Sequence, residues 1–546
     1  MSFSSFMLAR LYGLPQRRYG ARSTRDIEVV APDGVVLATD HFAPKAEGPH
    51  PTILMRLPYG RKGFDTVAEV YAERGFNVVL QACRGTGGSG GEFDPLTHER
   101  EDGLATLDWI KAQPWFDGRL GTSGPSYLGY AQWAICDALP EVSAMSTKVS
   151  SAEFRTVVFP SGAFHLQLWL SWLQTIEGIS RSPGKMMRRM MTGGIERKTL
   201  EASMTLPLVE ADRVAVGAKV PFWRRWFEMA LEDGPFWDKL DHRHRIGPKT
   251  PPNHFISGWY DFMIDQLLRD YQATVAAGQT PHLTVGPWFH VSNELQAESM
   301  RQTLIWMRAH LLDERALLRS KPVRLHIGGL ETWREYDQFP PPGPQLRLFH
   351  LHPGHALFPQ PALPNKSSDR YLYDPAFPTP NLGGNIFAFS GAGPVDNHER
   401  EERADVLTYT SDPMTSDMLM IGNASFTLYA RAERPFVDFF VRLCDVNRHG
   451  VSTNIADGLI RCTHATPERR PDGTMKLVIS LTANAYCFRT GHRLRVQVSS
   501  GAHPRFARNT GTGEAVGTGT TLIANRIEIL RDPDHPSSIS LPTYPV

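Results

Sequence analysis

The stretch that most restricts how this chain can fold is Gly124-Pro125-Ser126-Tyr127-Leu128-Gly129. It follows the strand-like Arg119-Leu120-Gly121-Thr122 and opens the apolar, helix-like run Tyr130-Ala131-Gln132-Trp133-Ala134-Ile135. A chain that leaves a strand and enters a helix through one serine must bend sharply, and the flanking glycines relieve the crowding of that bend. The turn presents the Ser126 hydroxyl at a strand end and aims the first amides of the new helix at any negative charge that forms there. The usual pattern is G-x-S-x-G; here Leu128 holds the place of the last glycine, which arrives one residue later as Gly129.

A nucleophilic serine needs a base to take its proton, and the base needs a carboxylate to fix its tautomer. In α/β-hydrolases the three residues come in the order Ser, Asp, His, each at the C-terminal end of a strand. Two later segments supply them. His254-Phe255-Ile256-Ser257-Gly258-Trp259-Tyr260-Asp261 is an apolar run ending in an acid, and His282-Leu283-Thr284-Val285-Gly286-Pro287-Trp288-Phe289-His290 is one ending in a histidine. Either residue alone reads more simply as a helix cap or as one of twenty histidines. The ordered set Ser126, Asp261, His290 is a catalytic triad in sequence.

Three of these pieces, Gly124–Gly129, Gly258-Trp259-Tyr260-Asp261 and Gly286-Pro287-Trp288-Phe289-His290, resemble the cocaine esterase and X-prolyl dipeptidyl aminopeptidase superfamily, and more closely its cocaine esterase-like branch. The resemblance runs from about the thirtieth residue nearly to the C-terminus. It accounts for the shifted glycine and implies an α/β-hydrolase core, a helical cap and a jelly-roll β-sandwich. It also implies an oxyanion hole from a tyrosine after an early strand, which in Pro58-Tyr59 nominates Tyr59, joined by the Tyr127 backbone amide. Three activities then compete: carboxylesterase, amide acylase and X-Pro dipeptidyl aminopeptidase. The related amino-acid ester hydrolases read a free amine with a Glu-Asp pair just after the triad acid. Here Asp261 is followed by Phe262-Met263-Ile264, with Asp265 beyond. Carboxylesterase is therefore the expectation, with acylase second and peptidase third.

With 546 residues, the chain exceeds what one core supports. Residues 1–148 alternate strands and helices, the signature of a mostly parallel sheet in an α/β fold. Helix-like runs at Thr66–Arg74 and Gly103–Gln113 separate strand-like ones at Val35–Thr39, Thr52–Met55 and Asn77–Gln81. Residues 149–245 read as an aromatic, helical cap, with helices over Phe159–Trp172 and Trp223–Leu231. Residues 246–342 return to sheet and helix, ending with the strand Pro322–Ile327. Pro340-Pro341-Pro342-Gly343-Pro344 is a linker, and residues 343–546 carry many short strands, such as the alternating Arg493–Val498. Trp169 and Trp172 of the cap, with Phe262 and Phe289 beside the acid and base, are the candidate substrate-binding residues.

A net charge of +1 gives no reason to expect nucleic acid or an anionic membrane as partner. No run approaches the ~18 apolar residues of a membrane helix, and no signal peptide is expected at the first residues. Five dispersed cysteines form neither a disulfide framework nor a zinc site, so the cytoplasm is the expected compartment. The partner expected is a small ester or amide, with a homodimer the one macromolecular association carried forward; no cofactor and no metal are expected. Gly85-Thr86-Gly87-Gly88-Ser89-Gly90 matches a dinucleotide-binding pattern, but Pro95 interrupts the helix that should follow. His350, His352 and His355 lack a carboxylate or thiol to complete a metal set. A carbohydrate-binding sandwich without catalysis is the non-enzymatic alternative.

Overall fold

The computed structural model describes residues 3–229, 234–363, 368–463 and 469–546. Ten strands form the central sheet: β1 (Ala21–Val30), β2 (Val36–Pro44), β3 (His50–Leu57), β4 (Asn77–Ala82), β5 (Phe116–Pro125), β6 (Ser143–Lys148), β7 (Asn253–Tyr260), β8 (His282–Phe289), β9 (Val323–Ile327) and β10 (Thr332–Tyr336). Their order is β1-β2-β4-β3-β5-β6-β7-β8-β9-β10. From β4 to β9 every neighbouring pair is parallel, and β1, β2 and β10 add antiparallel edges. The inner strands are buried along nearly their whole length, as strands covered on both faces must be. Helices Asp65–Ala72 and Asn293–Leu311 cover one face, where Met307 packs with Ile53 and Met55.

Between β6 and β7 the chain leaves the sheet for a run of helices, Arg155–Val158 through Pro235–Lys239. They bury an aromatic cluster that includes Trp169, Trp172, Trp223 and Trp226. The expected helix over Phe159–Trp172 is instead a short turn followed by the helix Leu166–Arg181, because Pro160 and the positive-φ Ser161 break it. The helix expected to end at Leu231 is Pro221–Met229, and Leu231 lies outside the described residues.

Among the described residues, thirteen strands from Gln345 to Tyr544 form the C-terminal β-sandwich, whose core holds Phe439, Leu494, Val496 and Val498. The sandwich docks on the sheet domain through backbone bonds. Gly328, just past β9, donates to Ala485 at 2.9 Å and accepts from Cys487 at 2.9 Å. The glycine-rich loop after β4 closes on itself: the Gly85 amide donates to the Gly90 carbonyl and the Ser89 hydroxyl to the Ala82 carbonyl. Arg84 there pairs with Asp33 and Asp102, and the next helix begins only at Glu99, so no helix opens at the third glycine.

Candidate active site

The β5–helix turn holds Ser126 at φ 57°, ψ −121°, a conformation that side chains avoid. Two glycines make the turn fit. A Cβ on Gly124 would lie 2.3 Å from the Leu128 Cβ, and one on Gly129 would lie 2.4 Å from the Ser150 Cβ. The shifted glycine therefore has a local cause: position 129 is where helix Tyr127–Trp133 presses on the chain after β6. The Ser126 amide donates to the Lys148 carbonyl at 2.9 Å, and the Ser150 hydroxyl donates to the Ser126 carbonyl at 2.7 Å.

Asp261 lies one residue past β7 and is fully buried. Its Oδ1 accepts the Met263 amide at 2.8 Å, and its Oδ2 meets His290 Nδ1 at 2.5 Å. His290 follows β8, and its ring lies against Phe262, with centroids 4.3 Å apart, and edge-on to Phe387. Ser126 and His290 face the same cavity, together with Tyr59.

Tyr59 stands two residues after β3, with its hydroxyl near the Ser126 side chain. The Trp172 indole N–H donates to the Tyr59 oxygen at 3.2 Å, which leaves the phenolic proton free for another acceptor. Burial pushes the phenol up to about 12, so it is a donor at any physiological pH. The Tyr127 side chain does something else. Its hydroxyl donates to Glu99 Oε1 and accepts the Leu96 amide, both at 2.8 Å, and its ring stacks on Trp172. Its backbone amide stands at the first position of the helix Tyr127–Trp133, where no intrahelical acceptor exists.

Two cavities meet at Ser126, Tyr59 and Phe387. One is a slot of about 20 Å³ lined by Phe154, Trp169, Trp172, Trp226 and Phe262. The other is a chamber of about 910 Å³ walled by the helix Phe3–Leu11, by Ile179 and Met190 of the cap, and by Leu295 and Met300. Trp169, Trp172 and Phe262 thus line the slot as expected. Phe289 does not: it packs with Tyr260 and the cluster under the sandwich, because strand alternation turns it away from the side that His290 faces.

Three contributors were missed in the sequence. Asn385, from the sandwich, donates to the carbonyls of Trp259 and Asp261, both at 2.9 Å, and fastens the acid turn. Phe387 from the same loop reaches both cavities. The only signal was a run of aromatics and asparagine between glycine pairs, Gly383-Gly384 and Gly391–Gly393. Lys148, at the end of β6, lines the chamber. Asp265, by contrast, lines neither cavity: its Oδ1 accepts from Asn423 at 2.9 Å and from the Ala483 amide at 3.0 Å, facing the sandwich.

Of the three histidines considered as metal ligands, His352 Nε2 lies 2.8 Å from the Gln360 carbonyl and His355 Nδ1 3.1 Å from that of Thr408. Among the described residues no helix is long and apolar enough to cross a membrane.

An α/β-hydrolase sheet with a strained serine turn, beside a sandwich domain, defines a serine-hydrolase architecture. Residues 33–292 match the family model for X-Pro dipeptidyl-peptidase (S15 family), and residues 316–540 match the X-Pro dipeptidyl-peptidase C-terminal non-catalytic domain. The chain is 30% identical to the cocaine esterase of Rhodococcus sp. (strain MB1 Bresler), over 93% of this chain and 96% of that one. Among solved structures, an aminopeptidase from the marine sediment archaeon Thaumarchaeota archaeon superposes with a TM-score of 0.82 at 20% identity, covering 97% of this chain and 98% of that one. An α-amino acid ester hydrolase gives 0.80 at 19%, with the same coverage. The chain belongs to the cocaine esterase-like group of the X-Pro dipeptidyl-peptidase superfamily and is a hydrolase.

Proposed function

We propose that this chain is a serine carboxylesterase working through an acyl-enzyme. Ser126 attacks the ester carbon while His290 takes its proton; Asp261 holds the imidazole through Nδ1 and stabilises its charged form. The Tyr59 hydroxyl and the Tyr127 amide receive the oxyanion. His290 then returns the proton to the departing alcohol, and water releases the acid by the same route. The observation that carries this reading is the 2.5 Å contact of His290 with Asp261, His290 lining a cavity that Ser126 and Tyr59 line too.

Ester rather than peptide chemistry is favoured by Asp265, whose carboxylate faces the sandwich instead of a cavity, so no acid is placed there to receive a substrate amine. The 30% identical cocaine esterase points the same way. Amide acylase is the second reading. A fluorophosphonate probe should label the wild type and not Ser126→Ala, and p-nitrophenyl butyrate should be cleaved faster than a Gly-Pro anilide. Labelling that survives Ser126→Ala would move the nucleophile elsewhere, and the reverse substrate order would make the chain a peptidase.

A further inference from the structure

The chamber beside Ser126 is apolar along its sides, yet it contains one cation. Lys148 is 6% exposed and is one of the residues lining the chamber, and its Nζ donates to Ser123 Oγ at 3.2 Å. Among the described residues no carboxylate pairs with it. Its environment is burial alone, which lowers the ammonium to about 7. An amine in a dry wall with one weak partner leaves N–H donors to spare, and an uncompensated buried charge is costly. Ser299 adds a second idle group: it too is 6% exposed, lines the same chamber, and its Oγ has no hydrogen-bond partner among the described residues. Two unsatisfied polar side chains in an apolar chamber of about 910 Å³ are a site prepared for a polar end on a long apolar body.

The arm of the ester that enters follows from the direction of proton transfer. His290 must deliver a proton to the leaving oxygen, so the leaving group departs on its side. His290 and Val291 line the chamber and are absent from the aromatic slot. The chamber is therefore the alcohol side, and the slot, far smaller, is the acyl side. We propose that the leaving group this site selects is an apolar chain carrying a carboxylate, received by Lys148 with Ser299 beside it: the ester of a small acid with an ω-hydroxy carboxylic acid. This inference rests on the esterase reading and adds the substrate class.

The test compares 6-acetoxyhexanoate and 8-acetoxyoctanoate with hexyl and octyl acetate, following released acid in a pH-stat. A buried charge-assisted contact should favour the carboxylate-bearing member of a pair by about tenfold or more in kcat/KM. Lys148→Met, close in shape, should erase that preference, and should unfold no more readily than the wild type because a lone buried charge is gone. Equal rates for the paired esters in the wild type, or a preference that persists in Lys148→Met, would overturn the proposal. Binding of 8-hydroxyoctanoate against octanol to the wild type by calorimetry needs neither turnover nor a variant. Selective binding of the acid with no ester hydrolysed would sink the esterase reading but keep the anion site, and hydrolysis of alkyl acetates without selective binding would do the reverse.

Discussion

At the scale of single residues, the site concentrates strain and desolvation on Ser126 and Tyr59. A serine at φ 57°, ψ −121° costs about 1–3 kcal/mol, which a residue without a Cβ does not incur. Ser126→Gly should therefore be more stable than Ser126→Ala by about 1 kcal/mol in chemical denaturation, although both are inactive; equal stability would mean the turn holds no strain. Tyr59→Phe keeps the ring and removes the hydroxyl proposed as an oxyanion donor. Turnover should fall by roughly 100- to 1000-fold with Tm little changed, and unaltered kcat would reduce Tyr59 to a packing role. The Ser126 turn was legible beforehand because a short motif marks it: a sharp bend between a strand and a helix dictates its own geometry, whereas Tyr59 was nominated only through the family resemblance. Lys148 was not legible. Nothing in Ser143–Lys148 distinguishes a lysine that folds back toward Ser123 from one that reaches solvent, since that depends on the helices packed below.

At the scale of elements, each strand end supplies one functional group, and a loop from another domain secures the most buried of them. Asn385 bonds the carbonyls on both sides of Tyr260, so the Asp261 turn is held from the sandwich as well as from β7, where the Gly258 carbonyl accepts the Asp261 amide at 3.0 Å. Asn385→Ala would remove both of these buried bonds, at about 1–3 kcal/mol, and would loosen the carboxylate that positions His290. The expected result is a kcat at least about tenfold lower with KM little changed and a lower Tm. A lower Tm with intact kcat would show that the loop supports the fold alone. The sequence pattern located the strands well, as in β4 (Asn77–Ala82), because buried β-rich runs bounded by turns have few other solutions. It failed at the cap, where Pro160 and Ser161 interrupt an aromatic run that looked continuously helical. It could not foresee the loop around Asn385 at all, since pairing over 124 and 126 positions leaves no local trace.

At the scale of the whole molecule, the cap and the domain junctions bury titratable groups in neutral form, and this sets the response to acid. Burial lowers His165 and His242 to about 3 in the cap, and His503 to about 3 where the sandwich meets the cap through Ser203. His254, on β7 of the central sheet, is likewise driven well below its usual value. In the unfolded chain each takes up a proton near pH 6.5, whereas in the folded protein it stays neutral until far lower pH. Below pH 6.5 the unfolded state thus binds more protons, and stability is lost as pH falls toward the folded values, about 1.4 kcal/mol per proton and pH unit. Asp270, raised to about 7 by burial, acts in the opposite sense over the same window and offsets one of the four. Lys148, lowered to about 7, adds one proton of the destabilising kind between about pH 7 and its unfolded value of 10.5. Tm should therefore rise gently from pH 7 to 9 and fall several times more steeply between pH 6.5 and 5. In Lys148→Met the upper slope should flatten while the lower one stays. A Tm that is flat from pH 5 to 8 would mean that water reaches these histidines and that the junctions between cap, sheet and sandwich are not closed.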